Sequence, residues 1–200
     1  MGVISNGTTL LDAGALDSGI ATGAMTLIST ATASSSATID ITSGITSTYK
    51  QYVFKFINIH PANDDVSFQF QTDTGTNTNY NQNITSTMYR STNGEDGSSG
   101  GLAYLASGDL ANANGFQLLA GSVGNDADQN VVGELHLFEP SSGTFVKHFK
   151  GSFQSIAHSN RTNFQFPAGY VNTTTALTRV RFKFSGGNID SGTIKMYGIS

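Results

Sequence analysis

Four histidines are the first residues in this chain able to hold a metal or move a proton. His136, His148 and His158 fall on successive segments, and a three-histidine zinc site needs a common inward focus with one position left open. Lys147 and Lys150 flank His148 and oppose a cation there, so surface histidines are expected rather than a metal centre. Asp64-Asp65, Asn125-Asp126-Ala127-Asp128 and Asn188-Ile189-Asp190 are oxygen-rich turns of the kind that hold calcium with about 6–8 oxygen ligands. Asx residues are also what turns ordinarily use, and no spacing here matches a calcium loop. Glycoside hydrolysis needs two carboxylates at inward positions. Of Asp40, Glu134, Glu139 and Asp190, only Glu134 shares a strand face with apolar neighbours, Val132 and Phe138, and with His136. A serine nucleophile elbow, a phosphate-cradling glycine loop and a zincin motif are absent, so neither catalysis nor a cofactor is expected. Binding chemistry remains. Tyr80, Tyr89 and Tyr104 lie beside long polar loops, where an exposed ring stacks on a sugar or fills a protein interface.

Strands must position these residues. Val180, Phe182 and Phe184 alternate with Arg179, Arg181 and Lys183, a Gly/Asn/Asp/Ser turn follows, and Ile194 and Met196 alternate with Lys195 and Tyr197. This pattern predicts a hairpin with one basic face, made of Arg179, Arg181, Lys183 and Lys195. Tyr52, Phe54 and Phe56 point one way along a central strand while Val53, Ile57 and Ile59 point the other. A turn at His60–Asp65 and the alternation of Val66, Phe68 and Phe70 predict a second hairpin. Further strands are expected over 25–29, 37–42, 84–90, 116–123, 131–138, 145–154 and 164–170, the last at an edge because Pro167 breaks it. Residues 91–101 read as a long exposed loop, and Leu102, Leu105, Ala106 and Leu110 as one short helix. About nine or ten strands punctuated by turns predict an all-β antiparallel sandwich or jelly roll over residues 24–200.

Residues 1–23 have no sustained period and carry glycines at 2, 7, 14, 19 and 23 between small apolar patches. They are expected to form an extended arm that lays Val3, Ile4, Leu10, Leu11 and Leu16 against a neighbour. Charged residues are 12% of the chain and the net charge is −4. A surface this poor in charge suits one covered by partners or by copies of itself, and the acidic balance gives no reason to expect nucleic acid. Cysteine is absent, so packing alone must hold the fold. No run of 18 apolar residues is present, so no helix is expected to cross a membrane.

The N-terminal Met-Gly-Val-Ile-Ser-Asn-Gly-Thr-Thr-Leu-Leu-Asp-Ala-Gly, the stretch Tyr52–His60, His136-Leu-Phe138, Phe145-Val-Lys-His148 and the ending Asn188–Ile199 together resemble a family of small virion proteins of aquatic tailed bacteriophages, cyanophages among them. The ending Gly192-Thr-Ile194-Lys-Met-Tyr197-Gly198-Ile199 is similar to the last strand of jelly-roll domains in phage fibres and capsid decoration proteins. The resemblance covers most of the chain except roughly 73–113. It implies a virion structural protein, first of all a cement or decoration protein on the capsid exterior. Its partners would then be the major capsid protein and copies of itself, as a dimer or trimer. The other role it implies is a tail-fibre or host-recognition module binding cell-surface glycans through Tyr80, Tyr89 and Tyr104.

Overall fold

The computed structural model describes residues 3–5, 8–12, 15–16, 25–98 and 100–199. Near the N-terminus, β1 (Val3–Ser5), β2 (Thr8–Asp12) and β3 (Ala15–Leu16) form a small sheet of their own in the order β1-β2-β3. Twelve further strands follow: β4 (Met25–Ser36), β5 (Ile39–Ile41), β6 (Gln51–Pro61), β7 (Val66–Thr74), β8 (Ile84–Gly94), β9 (Gly101–Tyr104), β10 (Gln117–Val123), β11 (Val131–Phe138), β12 (Lys147–Ala157), β13 (Arg161–Val171), β14 (Leu177–Phe184) and β15 (Ile189–Ile199). All their pairings are antiparallel.

These strands form two facing layers. One begins β4-β15-β6-β11 and the other runs β5-β14-β7-β10. Eight strands in chain order, β4, β5, β6, β7, β10, β11, β14 and β15, therefore fill the sheets as first-eighth-third-sixth and second-seventh-fourth-fifth. That order, with the chain stepping repeatedly from layer to layer, is a jelly roll. The remaining four strands extend the first layer. β12 pairs with β11 along most of its length, pairs in register with β10 only at Ala157–Val123, and carries β13, β8 and β9 beyond it.

Both predicted hairpins are corrected. β14 pairs with β5 and β7, while β15 pairs with β4 and β6, so the turn between them crosses from one layer to the other. The turn between β6 and β7 is the same kind of arch. Alternation dictates which face of a strand is buried but not which strand borders it, and these apolar faces meet across the core instead of along an edge. Phe182 of β14 lies 5.5 Å from Phe54 and 5.0 Å from Phe56 of β6, and Phe56 lies 5.4 Å from Phe68 of β7. Edge-to-face contacts of this kind add about 0.5–1.5 kcal/mol each beyond the area they bury.

Three local expectations also change. The loop expected over 91–101 is the tip of a hairpin in which Thr92 faces Gly101. In place of the short helix, β9 is followed by a single 3₁₀ turn, Ala106–Gly108. A Cβ on Gly108 would sit 2.5 Å from Met88 Sδ, so this segment lies too close to β8 for a helix of larger residues. β13 is an interior strand flanked by β12 and β8, and its ladder with β12 is interrupted opposite Phe166 and Pro167, where proline has no N–H to give.

Candidate binding surface

Arg179, Arg181 and Lys183 project from the outer face of β14, while Lys195 projects from the opposite layer, paired in register with Lys55. The expected basic face is therefore split between two sides of the molecule. Its strongest member is also neutralised: Arg181 donates Nε and Nη2 to the two carboxylate oxygens of Asp40 at 2.7 and 2.6 Å. That charge-assisted pair holds the guanidinium pKa above its ordinary value, against the opposing cost of burial. Arg179 Nε donates to the Gly75 carbonyl, and Lys183 Nζ stands 5.0 Å above the Phe116 ring.

Tyr80, expected at the surface, is buried. The 75–83 segment folds back over the outer face of β7 and β14, so Gln71 and Asp73 are covered as well. Asp73 anchors this strap by accepting from the backbone N–H of Tyr80 and Thr74. Gln71 Nε2 donates to the carbonyls of Gln82 and Gly115. The Tyr80 ring then lies 4.0 Å from the Arg181 guanidinium carbon. Burial raises the Tyr80 pKa above 10.0, and the nearby Asp40 carboxylate pushes the same way.

Tyr89 and Tyr104 are exposed, at 46% and 63%, and the fold brings them together as register partners on β8 and β9. They continue a strip that begins on β13. Phe164 meets Phe166 edge-on at 4.2 Å, and Phe166 stacks on Tyr89 at 4.6 Å with the planes 18° apart. Across the strands this gives the order Phe164, Phe166, Tyr89, Tyr104. The sequence predicts a strand here without saying which face is buried, and the structure turns the phenylalanines outward. The polar residues of β13, Asn163 and Gln165, point inward and are buried, while Phe164 is 37% exposed. The inward side of this extension is satisfied by polar contacts such as Gly121 N–H donating to Gln165 Oε1 at 2.9 Å. An alternation specifies two faces and leaves open which one is inside. Beside Phe164, whose register partner on β12 is Gln154, a groove of ≈ 530 Å³ is lined by Gln154, Val132 and Ile156 together with Asn93 and Glu95.

The other candidates do not converge. His136 shares its Nε2 with Glu134 at 3.0 Å and its Nδ1 with Gln51, and Glu134 faces Lys55 in register on the outer surface. His148 lies edge-on to Tyr170, and His158 is 3.2 Å from Asp65. The three oxygen-rich turns do meet at one end of the sandwich, where Asn125 N–H donates to Asp64 and Ala62 N–H to the Asn188 carbonyl. Among the described residues, no group of three or more His, Asp or Glu is placed to hold a metal. Of the arm residues, Ile4 is 63% exposed on β1. The backbones of Val3, Leu10, Leu11 and Leu16 lie in β1, β2 and β3, and their side chains fall outside the described residues.

No family model matches the chain, and no significant match is found among curated proteins or solved structures.

Proposed function

We propose that this chain is a virion structural protein of a tailed bacteriophage whose jelly roll recognises a cell-surface glycan. The placement in a virion rests on the sequence resemblance. The recognition role rests on one observation, the exposed strip Phe164–Phe166–Tyr89–Tyr104. Packed aromatic rings in a row on a rigid sheet give an apolar surface for the C–H groups of a sugar, and the groove beside Phe164 supplies amide and carboxylate partners for hydroxyls. Retardation of the native protein in gels containing host lipopolysaccharide or capsular polysaccharide tests this. Retardation should be weakened by Tyr89→Ala and by Phe164→Ser. Equal mobility of wild type with and without polysaccharide, for every host glycan tried, would remove the recognition role.

A second reading, the capsid decoration protein, is favoured by the N-terminal strands. β1, β2 and β3 hydrogen-bond to one another and, among the described residues, to no strand of the jelly roll. An arm with its own pairing suits attachment to the major capsid protein or to a neighbouring copy. Copy number per virion separates the readings: hundreds indicate decoration and a handful indicate a tail component.

A further inference from the structure

Three lysines stand on the outer face of the first layer. Lys55 of β6 and Lys195 of β15 face each other directly in register, and Lys150 of β12 lies on the same face, in register with His136 of β11. Among the described residues none of the three has a carboxylate in ion-pair range, whereas Lys50, Arg181 and three of the four histidines each do. Lys150 is exposed, and Lys55 and Lys195 are partly exposed, so a ligand reaches all three. Like charges directly opposite on adjacent strands destabilise a sheet, and an anion shared between the two ammonium groups would relieve that repulsion. Thr30 of β4, exposed and in register with Lys195, adds a hydroxyl beside them. The one carboxylate in this row, Glu134, faces Lys55 from β11 but is hydrogen-bonded to His136.

The same row leads to the aromatic strip. From Lys55 the register passes to Glu134 and then to Ser152 of β12. Lys150 faces Ala168 and Phe153 faces Gln165, which sets Ser152 beside Phe166. Phe166 faces Tyr89, and Tyr89 faces Tyr104. Three strand spacings, about 15 Å, therefore separate Phe166 from Lys55, and Lys150 stands between them, next to Ser152 on its face of β12. We propose that the glycan recognised is an acidic polysaccharide built of uronic acids. It lies across the strands, with its rings on the aromatic half of the row and its carboxylates at Lys150, Lys55 and Lys195. Single ammonium groups spaced along a sheet suit a polymer with one carboxylate per sugar, and Glu134 among them opposes the denser charge of a sulfated or phosphorylated chain. Arginine, whose fork grips phosphate at two points, supplies none of the cations in the row. The inference rests on the recognition role proposed above and adds the charge class of its ligand.

Biolayer interferometry on the full chain tests it, with immobilised polygalacturonate, alginate and hyaluronate as probes and with methyl-esterified polygalacturonate and dextran sulfate beside them. At least one polyuronate should bind, and esterification, which removes the charge and keeps the sugar, should weaken that binding. The double variant Lys55→Gln/Lys195→Gln should bind roughly tenfold more weakly, as the loss of two surface ion pairs predicts. Arg179→Gln/Lys183→Gln makes the same change in net charge on the opposite layer and should bind like wild type. Circular dichroism checks that each variant is folded, and Lys150→Gln serves in place of the first double variant if that one is not. No binding to any polyuronate, equal binding after esterification, binding to dextran sulfate alone, or equal losses in the two double variants would overturn the proposal. So would loss of capsid association in Lys55→Gln/Lys195→Gln without any polyuronate binding, which would give the face to a protein partner. The polysaccharide gel separates the two ideas. Retardation by a host glycan that depends on Tyr89 but not on Lys55, Lys150 or Lys195 would leave the recognition strip standing and remove the acidic ligand.

Discussion

Arg181, Tyr80 and Lys147 each do work that their residue types alone do not disclose. Arg181 is held between Asp40 and the Tyr80 ring, so it fastens the 75–83 strap to the sheet instead of offering a free charge. Both members of the ion pair are partly exposed, so Arg181→Met is expected to destabilise by about 1 kcal/mol, read as a lower urea midpoint. Tyr80 gives a pH signature. Its folded pKa is raised, so near pH 10 and above the unfolded chain loses this proton first. The stabilisation is complete below the ordinary tyrosine pKa and is lost as pH rises through the folded value. Between about pH 9 and about pH 11, Tyr80→Phe should lose less stability than wild type in urea titrations, and equal losses would refute the assignment. Lys147 is fully buried and donates Nζ to the carbonyls of Ser142, Phe145 and Thr173 at 2.6, 2.8 and 3.1 Å. Desolvation pulls its pKa below the ordinary value. Lys147→Met leaves those carbonyls without this donor and should cost about 1–3 kcal/mol, lowering the melting temperature by several degrees.

The elements explain why part of the binding surface was readable and part was not. Tyr89 and Tyr104 could be picked out because tyrosines beside polar loops are commonly exposed. Tyr80 has the same local surroundings in sequence, but the strap that covers it is held by Asp73 and Gln71, which lie several residues earlier on β7. Phe164 and Phe166 were missed because a regular alternation looks the same whichever side faces in. Asn163 and Gln165 face inward only because β10 lies beneath them, as the Gly121 N–H to Gln165 Oε1 hydrogen bond shows. Since the strip sits on the outside of an interior strand pair, Tyr89→Ala should weaken polysaccharide binding by roughly tenfold or less, the worth of one stacking contact, with thermal stability nearly unchanged. Gly198 is explained at this scale too. A Cβ there would stand 2.3 Å from the Tyr49 ring, so Gly198→Ala should destabilise by about 1–3 kcal/mol through overpacking.

At the scale of the molecule, β4 is an edge strand of the jelly roll, and among the described residues the N-terminal strands pair only with one another. β4 borders only β15 among the described residues, and its 12 residues include no charge. A long uncharged edge is poorly guarded against pairing with another strand. Thr30→Lys should therefore lower any self-association seen by light scattering at high concentration. Deleting residues 1–20 should leave the melting temperature of the jelly roll unchanged, because β1–β3 contribute no ladder to it. The same deletion should abolish capsid association if the decoration reading is right. By itself, the sequence determined the all-β class, the buried phase of β7, β14 and β15, and the absence of cysteine. Those properties are local, set by period, turn chemistry and composition. Only the tertiary structure decided that the two arches cross between layers, that the basic residues are divided between two faces, that Tyr80 is covered, and that Phe164, Phe166, Tyr89 and Tyr104 form one strip. Each of these depends on which distant strand borders or covers which, and side-chain alternation carries no information about that neighbour.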